Sequence, residues 1–480
     1  MKRATLILAL LGAIVLAGCG SNDTTSQTTY SSPGCGNNAA APQICNEPYK
    51  PKTHLKHRAL VSNYYAGVLD VMDTTQDRLT TFTFGVGSGP TYLQPSPDGL
   101  LTFVNNTESN SISSFNNIEE AVKGTIQLGG YTQSFVTSTD NQSGFAAVPN
   151  VSNGNPPNLP GGIVRFNPTD GSLNNDIPFP YVQYLALDTA EQHLLAFTQG
   201  APVVTVNSVT VSDDTANWVD LTAIDLAKGV PPYYALSLSN ASGSVTLSRP
   251  VAAFFSADNT KAYILSCGYE CGGSSSPSVT EINTTSITPQ TPTITGSVAT
   301  ATVLNQWTIN GARIGLIDPT ANMLYVAGST MSSTAIDCPF ADLGSPACAT
   351  TPANGGNNVQ DGYFTVINLT TGTVVSSTRV GNGVKRWIRN INGVYWVASL
   401  NCGVESCVSM VTPTSTSATA TVLANANGDA TGISLEVNSG EVYTIEGGEL
   451  YIYNQNGIQF IQQYYNTDIK GQGSDVLYID

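Results

Sequence analysis

Charge is scarce in this chain. Lysine, arginine, aspartate and glutamate together make up 11% of the residues, against about 25% in ordinary domains. The few charges are also unbalanced, 18 basic against 34 acidic, for a formal net charge of −16. A deficit of cations on this scale argues against nucleic acid and anionic lipid surfaces as electrostatic partners. Histidine is scarcer still: His54, His57 and His193 are the full set. The first two stand in or next to a polar N-terminal stretch and read as solvated. Nothing around His193 ("EQHLLAF") resembles a nucleophile elbow, so nucleophile–histidine–acid catalysis has no visible basis. Helical periodicity is nearly absent, "NNIEEAVKG" (116–124) being the best candidate at one or two turns. "GVGSG" (85–89) leads into a strand rather than a helix, so no phosphate cradle follows. "SDDTANWVD" (212–220) offers oxygen ligands without an EF-hand pattern. The neighbours Asp213 and Asp214, and likewise Glu119 and Glu120, read as solvated loop charges. No catalytic, metal-binding or cofactor-binding residue is expected.

Long apolar runs are confined to the N-terminus. Lys2 and Arg3 precede "ATLILALLGAIVLA" (4–17), which is too short to span a bilayer and ends in small residues, as a secretory signal does. The run closes on Leu16-Ala17-Gly18-Cys19, which resembles the lipobox of bacterial lipoproteins. The resemblance implies a signal peptide over 1–18 and a Cys19 acylated on its sulfur and its new amino group. Gly20 and Ser21 follow, and the lack of Asp at the second position resembles outer-membrane sorting in a Gram-negative host. Residues 19–58 are rich in Ser, Thr, Asn and Pro without a period and read as a lipidated flexible tether. Its 39 residues after Cys19 reach roughly 35 Å as a coil.

The other eight of nine cysteines fall in four close pairs: Cys35 with Cys45, Cys267 with Cys271, Cys338 with Cys348, and Cys402 with Cys407. Outside the cytoplasm an even count suggests disulfides, and local pairing is the simplest connectivity. The competing reading, zinc, needs further Cys or His at set spacing, and "CGYEC" and "CGVESC" lack the CxxC pattern.

What the chain does have is Thr, Ser, Asn, Val and Gly, the residues of strands and turns, arranged in a repeat. The clearest unit is "GSGPTYLQPSPDGLLTFVNNTESNSISSFN" (87–116): a strand, a Pro-Asp-Gly turn, a second strand, a polar loop and a third strand, with a fourth near 124–130. Its first strand recurs near Thr132, Val182, Val251, Ala312, Lys385 and Thr431, each time followed by an apolar second strand such as "KAYILSC" or "MLYVAGS" and by a third, "LTAIDL" in the unit that starts at Val182. Spacings run from about 41 to about 73 residues; four-stranded units at this period are the signature of β-propeller blades. The units resemble YVTN-family repeats, closely at "SPDGLLTFVNNTESNSI" and loosely elsewhere. Some propellers related to that type resemble lactonases, but no motif here carries that activity residue by residue.

The expected fold is therefore all-β: a single β-propeller domain over 59–480, with eight blades favoured and seven the alternative. The chain ends on an apolar run, Val476-Leu477-Tyr478-Ile479, which reads as an eighth first strand with nothing after it. "RALVSNYY", "GVLDVMDTT" and "LTTFTFGVG" (58–87) read as second, third and fourth strands with no first. Together they complete one blade from both termini and close the ring.

In an up-and-down blade all second-to-third-strand loops emerge on one face. The long segments 150–162, 200–220, 268–277, 328–362 and 401–407 are all assigned to such loops, and three cysteine pairs lie in them. The tether enters at the opposite face. Aromatic pairs at 64–65, 233–234 and 464–465 read as strand packing. The functional expectation is a monomeric, lipid-anchored binding or scaffolding module of the cell envelope, with a protein or glycan partner on the long-loop face and membrane contact through the lipid. The alternatives are a lactonase-like hydrolase with a metal at the channel mouth and a structural surface-layer component.

Overall fold

The computed structural model describes residues 52–479, apart from 151–160, 175, 180, 200–203, 207–208, 212–213, 225–228, 291–296, 331–361, 390–391, 403–405 and 461–466. Cys19, Cys35, Cys45, Cys338 and Cys348 lie outside the described residues, as do the tyrosines 464–465. The expected bridges of Cys35 with Cys45 and of Cys338 with Cys348 therefore stay expectations, whereas the other two pairs are bridged: Cys267 with Cys271 and Cys402 with Cys407.

The described strands can be grouped into eight units with antiparallel pairing inside each; units 4 and 5 share one nine-stranded sheet, in which Tyr233–Asn240 pairs parallel with Ser297–Thr308, and every unit but the first is entered by its innermost strand. Unit 2 is the simplest: Pro90–Pro95, Leu101–Asn106, Ser111–Asn116 and Ala121–Gln127, in that order from the axis outward. Units 3 to 8 begin at Ser134, Val182, Pro250, Ile314, Val384 and Ala430. Second strands such as "LTFVNN" and "MLYVAGS" are buried along their whole length, because a sheet lies on either side of them. The apolar runs follow from that double burial. The core is accordingly divided among the gaps between units: Phe103, Phe135 and Phe166 fill the gap between units 2 and 3. Among the described residues the only helical element is a 3-10 turn, Gly268–Cys271.

Unit 1 takes strands from both ends of the chain. Gly473–Ile479 is its innermost strand and pairs antiparallel with Arg58–Asn63, Leu60 opposite Leu477 and Val61 opposite Val476. Val68–Asp73 and Arg78–Gly85 complete it. Val476 packs with Tyr443 and Ile445 of unit 8, and Ile479 with Leu93 and Val104 of unit 2. Burying a side chain of this size contributes roughly 1.5–3 kcal/mol, so the terminal strand is a structural member and not a frayed end. Innermost strands touch in succession around the axis, unit 8 against unit 1 and unit 1 against unit 2. The result is a β-propeller.

Three local readings are corrected. Residues 116–124 form no helix; they make a turn and the start of the strand Ala121–Gln127. The third strand of unit 4 is Thr215–Asp220, not "LTAIDL". The preceding loop holds its own hairpin, Val204–Val206 with Val209–Val211, whose alternation hides the boundary. Glu120 is not solvated: it is 1% exposed and lies 3.2 Å from the Arg58 guanidinium, while the Thr53 amide and hydroxyl each donate to it at 2.6 Å. The entering chain is thus held on the turn face from Thr53 onward.

Candidate functional site

Each innermost strand runs from the face of the long loops to the face of the tight turns. In six units the register slips by one residue at the start of that strand, leaving Thr91, Gln183, Val251, Lys385, Thr431 and Ser474 as the extra residue. A bulge of this kind locally increases twist and re-aims side chains. Gln133 and Arg313 hold the equivalent place in units 3 and 6, immediately before the strand. The repeated bulge collects these residues and their successors at the loop-face mouth of the central channel.

A cavity of 420 Å³ occupies that mouth. Its wall takes Thr91 and Tyr92 from unit 2, Gln133 from unit 3, Tyr184 from unit 4, Val251 from unit 5, Arg313 and Ile314 from unit 6, and Lys385 and Arg386 from unit 7. The rim adds Tyr64, Asn105, Thr107, Glu108, Tyr131 and Thr132 from loops and strand ends of the same face. Three cations and four tyrosines therefore meet in one concavity of an acidic protein. The sequence alone singles out none of them. Lys385 stands in a recognisable strand, but only the bulge in three dimensions shows that it faces the axis, and Tyr64, in the turn after Arg58–Asn63, carries no local mark of the mouth. Of the aromatic pairs, Tyr233 and Tyr234 are core residues, as strand packing requires, whereas Tyr64 lines the mouth.

Arg386 reaches past unit 8 to the far wall. Its guanidinium pairs with Asp475 of unit 1, donates to the Leu93 carbonyl at 2.9 Å and sits 4.1 Å over the Tyr92 ring. Asp475 is fully buried and also accepts from the Leu93 amide at 2.7 Å and its neighbour Val476 at 2.9 Å. Gly432 makes room: a Cβ there would come within 2.7 Å of the Asp475 Cα. Burial pushes the Asp475 carboxyl up to about 6 against the downward pull of Arg386 and the two amides. Burial is the largest influence and works against the Arg386 charge, but Asp475 and Tyr92 together outweigh it and hold the guanidinium above its usual range.

The two described disulfides, Cys267–Cys271 and Cys402–Cys407, staple second-to-third-strand loops on this same face. Each stapled loop reaches the next unit. Glu270, inside the first, is fully buried, accepts from the Ser329 amide at 2.8 Å and lies 3.8 Å from Arg313. Around the second, the Asn401 amide donates to Asp429 at 2.7 Å, at the threshold of unit 8. A polar string crosses the wall: the Tyr184 hydroxyl donates to the Gln133 carbonyl at 2.8 Å, and the Gln133 amide donates to the Tyr131 hydroxyl at 3.1 Å. Burial, and then the Glu108 carboxylate, push the Tyr64 hydroxyl above its usual range.

The opposite face holds the histidines. His193 lies 3.0 Å from Asp188 and stacks on Trp218 with ring centroids 4.5 Å apart, while His57 faces Tyr478 at 3.3 Å. Asp214, by contrast, sits on the loop face, 3.7 Å from Arg249. Among the described residues no group of three or more histidines, cysteines or carboxylates converges as a metal site would require.

No family model matches the sequence, and no curated protein does. Solved β-propellers share the architecture. The chain is similar to the dihydro-heme d1 dehydrogenase NirN, solved with DHE, at 11% identity and a TM-score of 0.56, over 87% of this chain and 76% of that one. It is also similar to apo AztD from Citrobacter koseri at 10% identity and a TM-score of 0.48, over 88% and 98% of the two chains. The β-propeller domain of Cps50 (Swd1) from Myceliophteria thermophila matches at 10% identity and 0.47, over 78% and 99%. At such identities the likeness is one of fold alone.

Proposed function

We propose that the protein is a lipid-anchored binding module of the bacterial envelope that works through its loop face, with the channel mouth at the centre. One observation carries this reading: the cavity and both described disulfides lie on one face, while the chain enters the ring from the other, at Arg58. A lipid on Cys19 and the polar tether then place the turn face toward the membrane. Exposed turn carboxylates on that face, Asp98, Asp140 and Asp258 among them, are repelled by anionic headgroups. The ring stands off from the bilayer at the length of the tether, with its binding face outward.

A hydrolase reading requires carboxylates that converge on the mouth. Here Glu108 is the one carboxylate among the lining residues, while Asp475 and Glu270 lie buried behind the cations. The donor set suits recognition of a ligand better than activation of water.

The test is cross-linking in intact envelopes. Deletion of the loops 200–214 and 330–361, the second of them mostly outside the described residues, should abolish the captured partners, and Cys19→Ala should release the protein from the membrane fraction. Unchanged partners after the double deletion would end the binding-face reading, and retention of the Cys19→Ala chain would end the lipid anchor.

A further inference from the structure

We infer that Lys261 and Asn305 become joined through their side chains by an amide bond that unit 5 forms on itself, with Glu281 carrying the protons. The site lies apart from the channel mouth and is independent of the binding-face reading.

Three neighbouring strands bring the groups together. Lys261–Ser266, Ser278–Pro289 and Ser297–Thr308 are the second, third and fourth strands of unit 5. Glu281 stands opposite Tyr263 on one side and opposite Asn305 on the other. Lys261 precedes Tyr263 by two residues, so its side chain leaves the same face of the sheet. That face meets unit 6, where Tyr263 and Trp307 pack with Leu324, Val326 and Ile367. The Glu281 side chain is 3% exposed; one of its oxygens lies 2.8 Å from the Lys261 Nζ, and the other accepts from the Asn305 amide. The Gly372 turn of unit 6 lies against the group: its carbonyl accepts from the Trp307 indole at 2.8 Å, and a Cβ on Gly372 would sit 3.7 Å from the Asn305 Nδ2. Burial, and then Glu281 and Asp258, push the Tyr263 hydroxyl up to about 12. The carboxylate thus acts on its neighbours through a medium that screens charge poorly.

Ion pairing alone explains Lys261 and Glu281. The carboxamide on the second oxygen turns the pair into a reactive set, because one buried carboxylate then holds an amine and an acyl group together. Glu281 takes a proton from the Lys261 ammonium. The neutral amine attacks the Asn305 Cγ and forms the Nζ–Cγ bond. Glu281 returns the proton to Nδ2 as the Cγ–Nδ2 bond breaks, and one ammonia leaves. The step needs nothing from outside the chain. A charged lysine is no nucleophile, so a base touching it and an electrophile held beside it are what the reaction requires. Lys261 is 39% exposed and Asn305 is exposed, which gives the ammonia an exit. The bond ties the second strand to the fourth across the third. The disulfide Cys267–Cys271 already staples the loop end of the same unit.

Tryptic mapping of the full chain by mass spectrometry, after reduction of the disulfides, tests the bond. Trypsin cuts this region after Lys228, Lys261 and Arg313, Arg249 being protected by Pro250, and it does not cut after an acylated lysine. The wild type should give a single species, 229–313, lighter than its sequence by one ammonia, about 17 Da. Glu281→Gln and Asn305→Ala should each give separate peptides 229–261 and 262–313 at full mass, and both should melt at a lower temperature than the wild type. Separate peptides at full mass from the wild type would overturn the inference. A loss of ammonia with Lys261 still cut marks a cyclised asparagine and would overturn it equally, as would a bond that forms unchanged in Glu281→Gln or Asn305→Ala.

Discussion

The two faces of the ring are made by the same strands, yet one repeats and the other does not. On the turn face the first-to-second connection is solved the same way again and again. Ser96 donates to Asp98, Ser138 to Asp140 and Ser256 to Asp258, each at 2.6 Å. Each carboxylate also accepts a backbone amide two residues on. The residue between them, Gly99, Asn141 or Asn259, has positive φ, where glycine and asparagine are tolerated. On the loop face the equivalent end of each innermost strand carries Tyr92, Tyr184, Arg386, Gly432 or Asp475. The bulge frees that position from any shared turn chemistry, so the side chain varies from unit to unit. Repetition marks the scaffold, and departure from it marks the site.

Four outcomes would sharpen or break this contrast. The largest concerns the strand that joins both faces: removing 473–480 exposes the packing surfaces of units 8 and 2 and should give an aggregating chain without a cooperative thermal transition. A truncated monomer with unchanged melting would show that the ring does not need its closure. Next is the buried pair at the mouth. Arg386→Met or Asp475→Asn alone should each cost about 3–5 kcal/mol in urea unfolding, since each leaves one polar partner uncompensated, and the double variant should recover much of that loss. Additive losses would mean that the two residues do not act together.

On the turn face the effect reverses sign. Burial, reinforced by Glu441 and opposed by the Tyr443 hydroxyl, pushes Asp77 up to about 6. The native state therefore binds this proton where the unfolded chain does not. The stability it confers is complete below about pH 4 and is lost as pH rises through about 6. Asp77→Asn keeps an acceptor for Tyr443 and should stabilise the protein above that window by about 1–2 kcal/mol; destabilisation at pH 7 would contradict the burial argument. The smallest effect returns to the mouth. The groups facing Asp475 are Arg386 and Lys385 of unit 7, Tyr92 and the Leu93 amide of unit 2, and Gly432 of unit 8. Protonating Asp475 below about pH 6 leaves Arg386 charged. Partner capture by the loop face should therefore change between pH 7 and pH 5.5 in the wild type but not in Asp475→Asn, and an equal change in both would place the effect elsewhere.

Much of the turn face is legible in the sequence, because a turn or a buried strand is written in neighbouring residues. "SPDG", "LTFVNN" and the unpaired tail "VLYID" each state a local problem with few solutions. The mouth is not legible in this way. Its bulged residues are Thr, Gln, Val, Lys, Thr and Ser, which share no side-chain property. Arg386 and Asp475 are 89 residues apart in sequence and meet only because the ring closes and Gly432 leaves room between them. Glu120 looks solvated in the sequence for the same reason: its partner Arg58 arrives from a unit assembled from both ends of the chain. The best helix candidate, 116–124, fails because its acidic pair serves as a turn and an anchor, not as a helical face.

The contrast comes down to where a partner touches the ring, and hydrogen exchange with and without the partner captured by envelope cross-linking measures that directly. Protection should appear at 63–68, 105–111, 131–134 and the entry to unit 7 at 384–386, with no change at the turns 96–99, 138–141 and 256–259. Protection at those turns, with the mouth unchanged, would contradict the assignment of function to the loop face.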